Sequence, residues 1–70
     1  MITYYNINTG GYLVMTIKEL RTKTGLSQSK FSMLTGIPVT NIQHWEQGVS
    51  TPPDYVISLL EKVLRYEGKI

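Results

Sequence analysis

Seventy residues with a formal net charge of +2 make one small domain at most, near the size at which a single core is only marginally stabilising. The absence of cysteine excludes disulfides and thiolate metal sites, and no apolar run approaches the roughly 18 residues that a membrane span requires. Five acids and one histidine, His44, stand singly along the chain, without metal-ligand spacing and without a glycine-rich phosphate loop.

These totals argue against an enzyme and against any metal or cofactor. No basic stretch precedes an apolar core at the N-terminus, so no secretory signal is read there, and the expectation is a soluble cytoplasmic domain. The weakly basic balance permits an anionic partner without demanding one.

Residues 1–15 read differently from the rest. They are rich in Tyr, Ile, Thr and Val around the cluster Asn8-Thr9-Gly10-Gly11, which suggests either a β-hairpin or a flexible arm. A two-stranded hairpin alone is marginal in water, so a hairpin here must pack on the helices or on a partner. It is therefore a candidate surface for a protein partner, or for strand pairing across a dimer.

Residues 16–67 make up the second unit, in which the apolar period becomes helical. Thr16-Ile17-Lys18-Glu19 has the form of a capping box, Ile17 and Leu20 begin an apolar face, and Gly25 closes the first helix. Ser27 is a good N-cap for a second helix over 28–35, with Phe31 and Leu34 expected on its inner side and Gly36 as its stop. A third helix starts around Pro38, whose missing N–H suits a first helical turn, and ends at Gly48. Val49-Ser50-Thr51-Pro52 is a linker. Pro53 and Asp54 then open a fourth helix, in which Val56, Ile57, Leu59, Leu60, Val63 and Leu64 form a broad core-facing stripe.

The second helix, a short turn containing Gly36 and the third helix have the arrangement of a helix-turn-helix spanning 27–48, with Ile37 placed to plug the corner. At 100° per residue Ile42 and Trp45 fall on one side of the third helix. Thr40, Gln43, His44 and Gln47 fall on the other, with Val39 at the edge. That outer face is neutral but rich in hydrogen-bonding groups. It suits base edges in a major groove, where Gln pairs with adenine, Thr reaches a base or a thymine methyl, and His donates to guanine. It would equally suit an ordinary wet surface.

The order of the motifs narrows the choice. IKELR at 17–21, GLSQ at 25–28, Gly36, IQHWEQG at 42–48 and Pro52 before a Leu-rich helix together resemble the Xre/Cro, or phage-repressor-like, family of helix-turn-helix domains. The resemblance implies a mainly α, compact four-helix, lambda-repressor-like domain carrying the N-terminal hairpin or arm.

It also implies roles. Val39, Thr40, Gln43 and His44 would meet base edges. Gln28 would bond a phosphate and brace the recognition helix, with Lys30, Asn41, Gln47, Ser50 and Thr51 as further phosphate contacts. Arg21 and Glu46 occupy positions that form a structural ion pair between the first and third helices in several members.

The chain departs from the family pattern in three places. Val49, Ser50 and Thr51 stand where the family commonly carries Lys or Arg, so the phosphate grip is expected to be weak. Pro38 replaces the hydroxyl N-cap of the third helix, and Ser32 and Thr35 replace a small residue and a core leucine in the second. A fifth helix, often the dimer contact, is not evident.

The expected function is sequence-specific binding of double-stranded DNA by a small transcriptional regulator or repressor, acting as a homodimer. The alternatives are an antitoxin that meets its toxin through the N-terminal segment, and a protein-interaction module using the aromatic N-terminus and the Met33/Leu34 patch.

Overall fold

A computed structural model describes residues 15–70, together with the backbone of two short strands, β1 (Tyr5–Asn6) and β2 (Gly11–Tyr12). The strands pair antiparallel, Tyr5 opposite Tyr12 and Asn6 opposite Gly11. The rest of the N-terminal segment, including Asn8, Thr9 and Gly10, lies outside the described residues. The choice between hairpin and arm lies there too.

Four helices follow: α1 (Ile17–Thr24), α2 (Gln28–Thr35), α3 (Val39–Gln47) and α4 (Asp54–Tyr66). The fold is mainly α. Among the described residues, no helix is long and apolar enough to cross a membrane.

Local chemistry sets the first two helix starts. The Thr16 N–H donates to Glu19 Oε1 at 2.8 Å and the Glu19 N–H donates to Thr16 Oγ1 at 3.1 Å, so two otherwise orphaned donors are satisfied reciprocally. At α2 the Lys30 N–H donates to Ser27 Oγ at 3.2 Å. The later starts differ. Pro38 and Pro53 sit at the N-cap with extended ψ of 137° and 146°, one residue before the helical turn in which Pro38 was expected. Neither cap bonds through a side chain, and a capping proline leaves the first N–H groups open.

The core gathers Ile17 and Leu20 of α1, Phe31 of α2, Ile42 of α3, and Ile57 and Leu64 of α4. Leu20, Phe31 and Ile42 are completely buried, and each such side chain contributes roughly 1.5–3 kcal/mol over its exposed state. Met15, Leu26, Ile37, Trp45, Leu60 and Ile70 pack around this centre as half-buried side chains. α3 rests on both α1 and α2, so it is fixed from two directions.

Two expectations from apolar patterning need correction. Leu34, expected inside, is 39 % exposed, while Leu59 and Val63 of the supposed core stripe are 56 % and 50 % exposed. The six apolar positions of α4 span about 160° of helix circumference, more than the arc of somewhat over 100° that one core face takes. The core instead receives Glu61, only 5 % exposed, which accepts a hydrogen bond from Arg65 Nε one turn later. A buried carboxylate persists only when paired in this way.

Candidate nucleic-acid interface

The turn into α3 is held by hydroxyl groups. Gly36 ends α2 with φ of 79°, a left-handed conformation that only glycine adopts cheaply. On either side of it, two α2 side chains clip Ile37. Ser32 Oγ donates to the Ile37 carbonyl at 2.5 Å, and the Ile37 N–H donates to Thr35 Oγ1 at 3.2 Å. The Thr35 hydroxyl in turn donates to the Phe31 carbonyl at 2.8 Å. With its backbone satisfied on both sides, Ile37 packs its side chain against the core. The residues that depart from the family pattern in α2 therefore anchor the turn.

The α1–α2 turn repeats the device. The Thr24 hydroxyl donates to the Arg21 carbonyl at 2.5 Å, Gly25 has φ of 75°, and the Leu26 N–H donates to Thr24 Oγ1 at 3.2 Å. Sequence reasoning missed these roles. The available signal was the repeated triplet, Thr24-Gly25-Leu26 and Thr35-Gly36-Ile37.

α3 is braced from behind by an ionic clamp. Arg21 Nε donates to Glu46 Oε2 at 2.6 Å and Arg21 Nη2 donates to Glu46 Oε1 at 2.9 Å, a bidentate pair between α1 and α3. Arg21 Nη1 also donates to the Leu26 carbonyl at 2.9 Å, and Gln28 Nε2 donates to Glu46 Oε1 at 3.1 Å. The Arg21 bonds hold the Glu46 carboxyl below its ordinary range, against a smaller opposing effect of burial. The same pairing raises Arg21. Gln28 thus has a role behind the helix, while its amide carries a second N–H that can turn toward a phosphate.

The outward face of α3 is open. Thr40, Asn41, His44 and Gln47 are exposed, while Val39 and Gln43 are half-buried at its margins. At its N-terminus the Asn41 and Ile42 N–H groups donate to the Pro38 carbonyl, at 3.0 and 3.2 Å. Among the described residues, no acceptor takes the Val39 and Thr40 N–H groups, which lie at the helix start, where an anion is favoured.

At the other end the backbone is already used. The Val49 N–H donates to the His44 carbonyl at 2.9 Å and the Gly48 N–H to the Trp45 carbonyl at 3.4 Å. What that loop offers a phosphate is therefore the exposed hydroxyls of Ser50 and Thr51 rather than its first amides. Lys30 is exposed on α2, one turn from Ser27. Among the described residues, no group of three or more His, Cys, Asp or Glu gathers as a metal ion would require.

Compared with models of known families, residues 17–68 match one described as helix-turn-helix, which covers all four helices. No curated protein and no solved structure matches the chain.

Proposed function

The chain belongs to the Xre/Cro-type helix-turn-helix family of DNA-binding domains, and from that premise we propose that it is a sequence-specific repressor which occupies an operator as a dimer. α3 enters the major groove. Thr40 and His44 at its centre, with Val39 and Gln43 at its margins, read base edges. Gln28, Lys30, Asn41, Gln47, Ser50 and Thr51 fix the register on the backbones.

The observation that carries this reading is the division of α3 into two working sides. Its inner side is immobilised by Ile42 and by the Arg21–Glu46 clamp, while its outer side is exposed, neutral and rich in donors and acceptors. A rigid helix presenting such groups suits direct readout, because charge positions a protein on DNA but does not specify sequence. The cost is a weak grip. With about two or three cationic contacts, from Lys30 with Lys18 or Lys23, affinity falls with salt at a log–log slope of roughly −2 to −3.

Fluorescence anisotropy tests this with the duplex from upstream of the coding region and a random duplex, over a salt series. The repressor binds the upstream duplex preferentially and loses that preference in Thr40→Ala and His44→Ala. A folded protein that ignores both duplexes at low salt would sink the proposal and leave a protein-interaction module. An antitoxin would share the DNA contacts and differ in having a toxin partner.

A further inference from the structure

A cavity of about 260 Å³ opens where the start of α1, the end of α3 and the start of α4 come together. Met15, Ile17, Pro52 and Ile57 give it apolar walls, and Trp45 and Asp54 supply an indole and a single carboxylate. An engineered cavity of roughly 150 Å³ takes benzene, and drug-sized sites begin near about 300 Å³, so this one suits a ligand of about six to ten non-hydrogen atoms.

Its charge has one sign. No Lys, Arg or His lines the cavity, and the Asp54 carboxylate has no hydrogen-bond or ion-pair partner among the described residues. Nor does the Trp45 indole N–H, although that side chain is half-buried. The helix ends do not reverse the balance. Asp54 outweighs the roughly half positive charge at the start of α4, and the end of α3 adds about half a negative charge. At the start of α1 the Thr16 N–H is already held by Glu19.

These features choose among ligands. An anion would meet Asp54 with no cation in the lining to offset it. A neutral apolar molecule would take water from the carboxylate and return no hydrogen bond. An alkyl chain ending in an ammonium group satisfies both halves of the cavity. The chain covers the apolar walls, while the nitrogen donates to the carboxylate beside an aromatic ring that attracts cations.

Ser50 and Thr51 also line the cavity, and both are exposed residues assigned above to DNA phosphates. No residue from Gly48 to Pro53 is cationic, and Asp54 beside them repels phosphate. An ammonium ion bound there cancels that charge.

We propose that this cavity binds a small organic ammonium ion, its nitrogen held by Asp54 and Trp45, and that the bound ion tightens the grip of the neighbouring loop on DNA. The second half rests on the operator-reading function above; the first half does not.

Titration of the full chain with n-hexylammonium chloride at constant ionic strength tests the site. Two readouts follow it, the fluorescence of Trp45, the single tryptophan, and the amide shifts of Gly48, Ser50 and Thr51. Both saturate, with a Kd of about 1 mM for a ligand of this size. Hexanol binds about tenfold more weakly, for want of the charge-assisted hydrogen bond, and hexanoate does not bind in the same range. Asp54→Asn, at an exposed position and checked for folding by circular dichroism, binds hexylammonium and hexanol alike. In anisotropy titrations hexylammonium tightens binding of the upstream duplex about threefold, and Asp54→Asn reproduces that gain without ligand and no longer responds to it.

A folded chain in which neither readout saturates, hexanol that binds as well as hexylammonium, or an Asp54→Asn variant that keeps the preference would each overturn the site. Saturable binding that leaves duplex affinity unchanged would overturn the effect on DNA. A chain that takes hexylammonium yet ignores every duplex would refute the operator reading and leave the site standing.

Discussion

Arg21 and Glu46, 25 residues apart, meet through two parallel hydrogen bonds of 2.6 and 2.9 Å, so the first helix holds the third from behind. Their side chains are only 18 % and 6 % exposed, which places the pair where losing one partner costs more than the intact pair contributes. Glu46→Gln leaves the Arg21 guanidinium half-buried without a counter-charge, and unfolding in urea should show a loss of about 3 kcal/mol. The joint replacement Arg21→Met with Glu46→Leu should recover most of that loss. A double variant whose loss equals the sum of the two singles would mean that the residues do not act as a unit.

The same pair makes stability depend on acid. Glu46 has a folded-state pKa below its ordinary value of 4.5, chiefly through the Arg21 hydrogen bonds. A depressed carboxylate contributes stability that is fully present above the unfolded-state value and is lost as pH falls through the folded one. Urea midpoints should therefore be flat in this respect above about pH 5 and decline below about pH 4.5. In Glu46→Gln the decline should be shallower, since the group that takes up the proton is gone. An identical acid limb in the two proteins would assign the decline to other carboxylates.

How much of this was legible in the sequence differs from helix to helix. Thr16, Ser27, Gly25, Gly36 and Gly48 mark helix ends by short-range chemistry, and short-range chemistry is what a sequence displays directly. The two sides of α4 were not legible, because apolarity reports that a residue avoids water without saying which surface covers it. Leu59 and Val63 read as core on that ground, and nothing in the pattern marks Glu61 as buried, because charge ordinarily lies at the surface. Nor does any spacing rule bring Arg21 to Glu46. Only the likeness to a family suggested that pair, and only the structure showed Gln28 and the Leu26 carbonyl completing it.

The turn before α3 should be unusually sensitive to two small hydroxyls. Thr35→Val keeps the side-chain shape but removes the acceptor for the Ile37 N–H, so a half-buried donor goes unsatisfied at a cost of about 1–2 kcal/mol. Ser32→Ala strips the Ile37 carbonyl of its donor and should cost about 1 kcal/mol. Amide exchange offers a local check. In Thr35→Val the Ile37 amide should exchange faster relative to global unfolding, while the Leu26 amide, held by the equivalent Thr24, should not. Equal acceleration at both sites would mean that the clip is incidental and the change global.

The outer and flanking residues of α3 should separate into two kinds of defect on DNA. Removing a base-reading group leaves the electrostatic attraction intact, so His44→Ala should reduce discrimination between operator and random duplex by about 1–3 kcal/mol with an unchanged salt slope. Lys30→Gln removes a cation from α2 without touching the reading face. It should weaken both duplexes similarly and make the log–log salt slope shallower by about one. The two should be additive, because His44 and Lys30 lie on different helices and share no hydrogen bond among the described residues. Anisotropy titrations of both single variants and the double variant, at several salt concentrations, measure all three quantities. If Lys30→Gln altered sequence preference while His44→Ala altered the salt slope, the assignment of the two faces would be reversed. If neither variant changed either quantity, α3 would not be the element that enters the groove.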